Sequence, residues 1–178
     1  MIENRCKWLS PIITMSQYDN NWHKYNDSLY SIFCRDFMND DLYFNRKKVM
    51  VRQHPKLNNY ETSFYHLTGE DMKNAITPND RIPDFRRAER IEWTRKIIEN
   101  YQCNENCMDC KKILYYEKKY KKTIRIHLTF IDVKFKVILE KRNTYYLLIT
   151  AYYLKYENII KEELKLYNKF IQQKTPLD

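Results

Sequence analysis

From Thr123 to Leu154 the chain reads TIRIHLTF-ID-VKFKVILE-KRN-TYYLLITAYYL, three strand-like runs joined by short connections. In the first, Ile124, Ile126, Leu128 and Phe130 alternate with Arg125, His127 and Thr129. In the second, Val133, Phe135, Val137 and Leu139 alternate with Lys134, Lys136, Ile138 and Glu140. Side chains of a strand point to opposite faces with period two, so each run presents one face to a core and the other away from it. The third run is apolar on both faces, as a central strand requires, yet carries Thr150 and Tyr152 at i, i+2. An antiparallel meander follows, with Arg, His, Thr and Tyr on its polar face. That face is either a site or the solvated side of an ordinary half-exposed sheet.

The rest of the chain supplies helices to cover such a sheet. Trp22, Tyr25, Leu29, Ile32, Phe33 and Phe37 fall on one helical face between Asn21 and about Met38, with Asp19 or Asn20 as cap and His23 on the solvent side. Val49–Met50–Val51 and TSFYHL at 62–67 are strand candidates. Thr68-Gly-Glu-Asp71 has capping-box spacing, which would open a short helix and leave His66 at a strand–helix junction, a fixed place for acid–base work. His54 lies in a looser loop. Asp84 can cap a helix over 86–100, on which Arg86 and Arg90 share a face. At that spacing they either hold a phosphate together or line a solvated helix face with Glu89. A last helix, from about Glu157 to Gln172, puts Ile160, Leu164, Tyr167 and Ile171 on one face. The expectation is one α+β domain over 1–178. It comprises an N-terminal arm and helix (1–44), a core (45–154) and a C-terminal helix and tail (155–178).

Composition narrows the chemistry. With a single glycine, Gly69, glycine-rich phosphate loops and dinucleotide fingerprints are excluded. Aromatics make up 15% of the chain, too many for disorder. No run approaches the ~20 apolar residues of a membrane span. The N-terminus has no signal-peptide pattern, and a cytoplasmic protein is expected. The net charge of +9 is localised: residues 111–178 hold 16 Lys and Arg against 7 Asp and Glu, while residues 1–110 balance. The excess begins with KKILYYEKKYKK, including Lys111, Lys112, Lys118 and Lys119. Lysines interleaved with tyrosines suit a polyanion, neutralising phosphates while rings stack on bases; the other source of such a pattern is a Lys- and Tyr-rich composition without a ligand. Cys103, Cys107 and Cys110 lie in a C-x₃-C-x₂-C run. They are free thiols, part of a structural zinc site needing a fourth ligand, or redox groups.

Three phrases taken together, SFYHLTGED, RIPDFRRAERIEWTRKIIEN and VILEKRNTYYLLITAYYL, resemble phage-borne and bacterial members of the barnase/EndoU/colicin/RelE-like nuclease superfamily over residues 45–154. The resemblance implies N-terminal helices packed on a twisted antiparallel sheet of about four strands, with the active site on the open face. It also implies metal-independent RNA cleavage by 2′-hydroxyl attack, leaving a 2′,3′-cyclic phosphate, in a toxin or phage-defence setting with an antitoxin or immunity partner. No cofactor is implied. His66 would be the general acid or base, and Glu89 an orienting carboxylate or second base. Arg86, Arg87 and Arg90 would hold phosphate; Thr150 and Tyr152 would bind phosphate and position the leaving group. Tyr152 stands near where some members carry a histidine. Arg125 and His127 are candidates from the meander's polar face alone. The competing expectations are a non-catalytic RNA- or DNA-binding module and a protein-interaction domain with incidental charge.

Overall fold

The computed structural model describes residues 6–76, 80–105 and 110–174. After a 3-10 turn at Met15–Tyr18, helix α1 (Trp22–Cys34) is capped by Asn21, whose side chain accepts from the Lys24 amide at 3.1 Å. Asp19 and Asn20, expected as caps, instead form the preceding turn with φ of 56° and 55°. Tyr25, Leu29 and Phe33 of α1 are buried, and a π turn over Arg35–Asn39 carries Phe37 into the same core.

Strands β1 (Tyr43–Phe44) and β2 (Lys47–Met50) form a hairpin across Asn45 and Arg46. Both turn residues take positive φ, the geometry that matches strand twist in a two-residue connection. The small ribbon of β3 (Lys56–Leu57) and β4 (Tyr60–Glu61) turns the same way at Asn58–Asn59. The segment expected as a strand at 62–67 is helix α2 (Thr62–Thr68). Phe64 and Leu67, at i, i+3, are buried on its inner side, and Phe64 packs edge-on to Tyr30 and Phe33 of α1, so tertiary packing decides between two locally available periods. The expected capping box likewise does not form: Gly69–Asp71 is strand β5, paired with β6 (Arg81–Pro83).

The helix expected over 86–100 divides into α3 (Phe85–Ala88) and α4 (Ile91–Glu99). The break has a partner. The Glu89 carbonyl accepts from the Ile13 amide at 2.9 Å, while the Trp93 amide bonds Arg90 instead. The N-terminal arm is thereby fastened to the helix break.

Strands β7 (Ile113–Tyr120), β8 (Thr123–Phe130), β9 (Phe135–Lys141) and β10 (Tyr146–Tyr153) form a continuous antiparallel meander. β2 joins β10 in parallel through Tyr146 and Leu147, completing a six-stranded sheet of order β1-β2-β10-β9-β8-β7. The class is α+β, with more strands than the four expected: β2 overlaps the candidate at Val49–Val51, while the two-residue β1 and the Lys- and Tyr-rich β7 fall outside the expected strands.

One face of the sheet, carrying Ile126, Leu128, Phe130, Val137, Leu139 and Leu148, packs on α1 and α4 to make the main core. Helix α5 (Glu157–Lys174) covers part of the other face, where Ile160 meets Leu114, Ile131 and Leu154. Half of the stripe expected on α5 packs: Ile160 is buried and Tyr167 rests on the same cluster, whereas Leu164 and Ile171 are exposed and Glu163 is buried in their place. Among the described residues no helix is long and apolar enough to cross a membrane.

Candidate nucleic-acid site

His66 occupies the last turn of α2, where helix carbonyls lack intrahelical partners. Its carbonyl accepts the Thr150 hydroxyl at 2.9 Å and a guanidinium N–H of Arg87 at 3.3 Å. Arg87 Nη1 also stands 3.4 Å from Thr150 Oγ1, and its guanidinium lies 5.5 Å from the centre of the Tyr152 ring. Asp84 orients this arginine from below. Its carboxylate caps α3 by accepting the Arg86 amide at 3.0 Å, lies 3.5 Å from Arg87 Nε, and pairs with Lys155 at 3.2 Å. Three elements, α2, α3 and β10, thus bring His66, Arg87, Thr150 and Tyr152 together.

The β5–β6 ribbon adds a second half-buried arginine. Arg81 donates to the Gly69 carbonyl at 2.7 Å and to the Asp71 carboxylate. The Nε groups of Arg81 and Arg87 are buried without hydrogen-bond partners among the described residues. Burial pushes the His66 imidazole down to about 4; the positive charges of Arg81, Arg52 and Arg87 push the same way, and the Asp71 carboxylate pushes against them. Arg52 is tied to the start of α2, its amide donating to the Ser63 hydroxyl at 2.7 Å. At neutral pH the arrangement is an uncharged imidazole among three guanidinium groups. It can accept a proton, and its surroundings favour an anion.

Arg86 and Arg90 go elsewhere. Their guanidinium carbons lie 5.4 and 4.9 Å from the centre of the Tyr153 ring, which packs toward the main core, whereas Tyr152 points to the opposite face. Arg90 also donates to the Arg86 carbonyl at 3.0 Å and to Glu89 at 3.2 Å, and stacks on Trp93. Glu89, Arg86 and Arg90 are therefore grouped around Tyr153, and Arg87 alone of this helix reaches the His66 cluster. Arg81 and Arg52 carry no signal in the sequence that would single them out. Each is a lone arginine in a loop-like stretch, and only strand pairing with Asp71 and the bond to Ser63 bring them near His66.

The remaining candidates lie along the outer face and its edge. Arg125 covers the Tyr120 ring at 3.5 Å and sits 3.7 Å from Glu140. His127 is buried, stacked on Tyr116 with centroids 4.6 Å apart, and burial pushes it down to about 3 with Lys136, Lys118 and Arg125 adding to the shift. Its Nδ1 has no hydrogen-bond partner among the described residues. The outer face is thus more enclosed than a half-exposed sheet, with Thr129, Lys136 and Glu140 buried as well.

Lys118 and Lys119 are exposed on β7; Lys111 donates its amide to Asp132 at 3.0 Å, and the Lys112 ammonium engages the Glu105 carbonyl. A basic groove of about 820 Å³ opens at the strand ends, lined by Lys47, Lys122, Lys141, Arg142 and Tyr145 among others. Cys103 and Cys110 are half-buried free thiols, and Cys107 lies outside the described residues. Among the described residues no three His, Cys, Asp or Glu side chains converge as a metal site.

No family model matches the chain, and neither a curated protein nor a solved structure is found to be similar to it.

Proposed function

We propose that the protein is an endoribonuclease that cleaves RNA through its own ribose 2′-hydroxyl, using the His66 cluster. The supporting observation is a half-buried, neutral His66 that feels the charges of Arg81 and Arg87, with Arg87 bonded to the His66 carbonyl and lying over the Tyr152 ring. His66 takes the proton of the 2′-hydroxyl as its oxygen attacks the adjacent phosphorus. The bond from phosphorus to the 5′-oxygen breaks, and the Tyr152 phenol gives that oxygen a proton, leaving a 2′,3′-cyclic phosphate. Burial first, and then the charge of Glu163, raise the Tyr152 phenol above its ordinary value, which keeps the proton available.

Arg87 and Arg81 meet the charge that builds on the phosphorane, and their preset positions spare reorganisation during the reaction. A bound phosphate also offsets the three guanidinium charges, bringing His66 closer to a working pKa. Thr150 is a positioning residue, because its hydroxyl is committed to the His66 carbonyl. The basic strand β7 and the groove at the strand ends extend the contact to neighbouring phosphates. In a toxin or phage-defence setting the substrate would be tRNA, mRNA or ribosome-bound RNA, with an antitoxin or immunity protein as partner.

A non-catalytic RNA- or DNA-binding module is the second reading, favoured by the seating of α5 on part of the sheet's outer face. Incubation with total RNA and with tRNA in excess EDTA, beside His66→Ala and Tyr152→Ala, separates the two. Fragments ending in 2′,3′-cyclic phosphate, made by the wild type and not by His66→Ala, support the nuclease. Intact RNA that still shifts on a gel supports the binding module.

A further inference from the structure

Glu163 is the acidic residue that α5 sends into the sheet, and it is 5% exposed. Three donors from three adjacent strands converge on its carboxylate. Lys136 Nζ of β9 lies at 2.5 Å, the Thr129 hydroxyl of β8 at 2.9 Å and the Tyr116 hydroxyl of β7 at 3.0 Å. Lys136 is itself 3% exposed and also donates to Tyr116 at 3.0 Å. An ammonium and two hydroxyls fixed on a rigid sheet around one anion make an oxyanion pocket. The anion in it belongs to a lightly seated element. Of the 18 residues of α5, Ile160 and Glu163 are buried, Ile159 and Tyr167 pack partly on the same cluster and Phe170 meets Tyr115, while the apolar Leu164 and Ile171 face outward at 36% and 42% exposure.

We propose that Lys136, Tyr116 and Thr129 form a phosphate subsite for the RNA strand, and that α5 closes it in cis by placing the Glu163 carboxylate where a phosphate would sit. The inference rests on the RNA-cleaving reading of the His66 cluster and extends it along the same face. Tyr152 joins the two places, with Arg87 over its ring and the Glu163 charge acting on its phenol. Exchange of one anion for another keeps Lys136 paired throughout, so opening avoids the cost of a buried ammonium left alone. The substrate strand is then a ligand that displaces α5, and the free protein is held closed.

The test uses the full chain. Glu163→Ala and Glu163→Gln are melted with and without inorganic phosphate, with acetate as the second probe, beside the wild type and the double variant Lys136→Met/Glu163→Leu. Phosphate should raise the melting temperature of the single variants at least twice as far as that of the wild type, and further than acetate does. The double variant, which has no ammonium to pair, should respond no more than the wild type. Equal phosphate shifts in all four proteins, or a larger shift with acetate, would overturn the subsite; Glu163→Gln keeps the side-chain shape if Glu163→Ala does not fold.

Closure is read separately, by hydrogen exchange of the wild type with a single-stranded RNA oligonucleotide. Amides of α5 should exchange faster in the complex while those of β9 do not; unchanged or slower exchange in α5 overturns closure in cis. Failure of the nuclease reading shows up elsewhere, as absence of cleavage with phosphate rescue intact.

Discussion

Thr150 donates its hydroxyl to the carbonyl of His66 across 2.9 Å, and this bond fastens the central strand β10 to the end of α2. The pairing of β10 with β2 stops at Leu147, so beyond that point α2 packs beside β10 in place of a further strand. The carbonyl is one that a helix end leaves unpaired, and Thr150 and Arg87 share it. Sheet, helix and arginine are therefore held in one register at the His66 backbone.

Thr150→Val keeps the shape and removes the donor. We expect a loss of about 1 kcal/mol in urea unfolding, the usual worth of one such bond. Cleavage should fall about 10- to 100-fold through displacement of His66, with RNA affinity nearly unchanged. Single-turnover kinetics beside filter binding checks both. Full activity in this variant would mean the bond does not position the imidazole.

Acid should destabilise the protein through its two enclosed histidines. Both are depressed in the folded state, His66 to about 4 and His127 to about 3, from an ordinary 6.5, chiefly by burial. Below pH 6.5 the unfolded chain takes up these protons before the folded one does, so their effect on stability is nil above 6.5. The loss grows as pH falls and levels off below about 3. His127→Phe keeps the stack on Tyr116 without an unpartnered Nδ1, and should flatten the decline of melting temperature between pH 6.5 and 4. An equally steep decline in His127→Phe and His66→Gln would show that other groups carry it.

Lys118 and Lys119 project from the exposed end of β7. Replacing both with Gln should reduce the salt dependence of single-stranded RNA binding by about 0.7 in logarithmic slope for each phosphate that is no longer neutralised. Titrations at several salt concentrations measure this directly, and an identical slope would make these lysines bystanders.

Gly69 begins β5, and a Cβ there would come within 2.7 Å of the Ile82 carbonyl oxygen on the paired strand. Gly69→Ala should cost about 1–3 kcal/mol by forcing the ribbon apart. Because Arg81 donates to the Gly69 carbonyl, cleavage should drop as well. Unfolding curves and activity on one preparation test the pair of effects. Wild-type stability would mean the ribbon yields freely.

The long strands were legible because their signal is local: period-two alternation over eight residues states both the strand and its two faces, as in β8 and β9. The stripe of α1 was legible for the same reason. TSFYHL was not, since six residues with Phe64 and Leu67 three apart satisfy a helix as well as a strand, and α1 supplies the deciding surface. Sequence spacing grouped Arg86 with Arg90; the helix break at Glu89, held by Ile13, let Arg87 alone reach Thr150.

The chain's own pattern thus determined three of the meander's four strands, helices α1 and α5, and the localisation of positive charge. Tertiary structure decided which arginines surround His66, and that Glu163 lies against Lys136. Alternation and helical periodicity are set by neighbours a few residues apart, whereas these pairings join groups from 21 to 84 positions apart, which only the closed fold brings into contact.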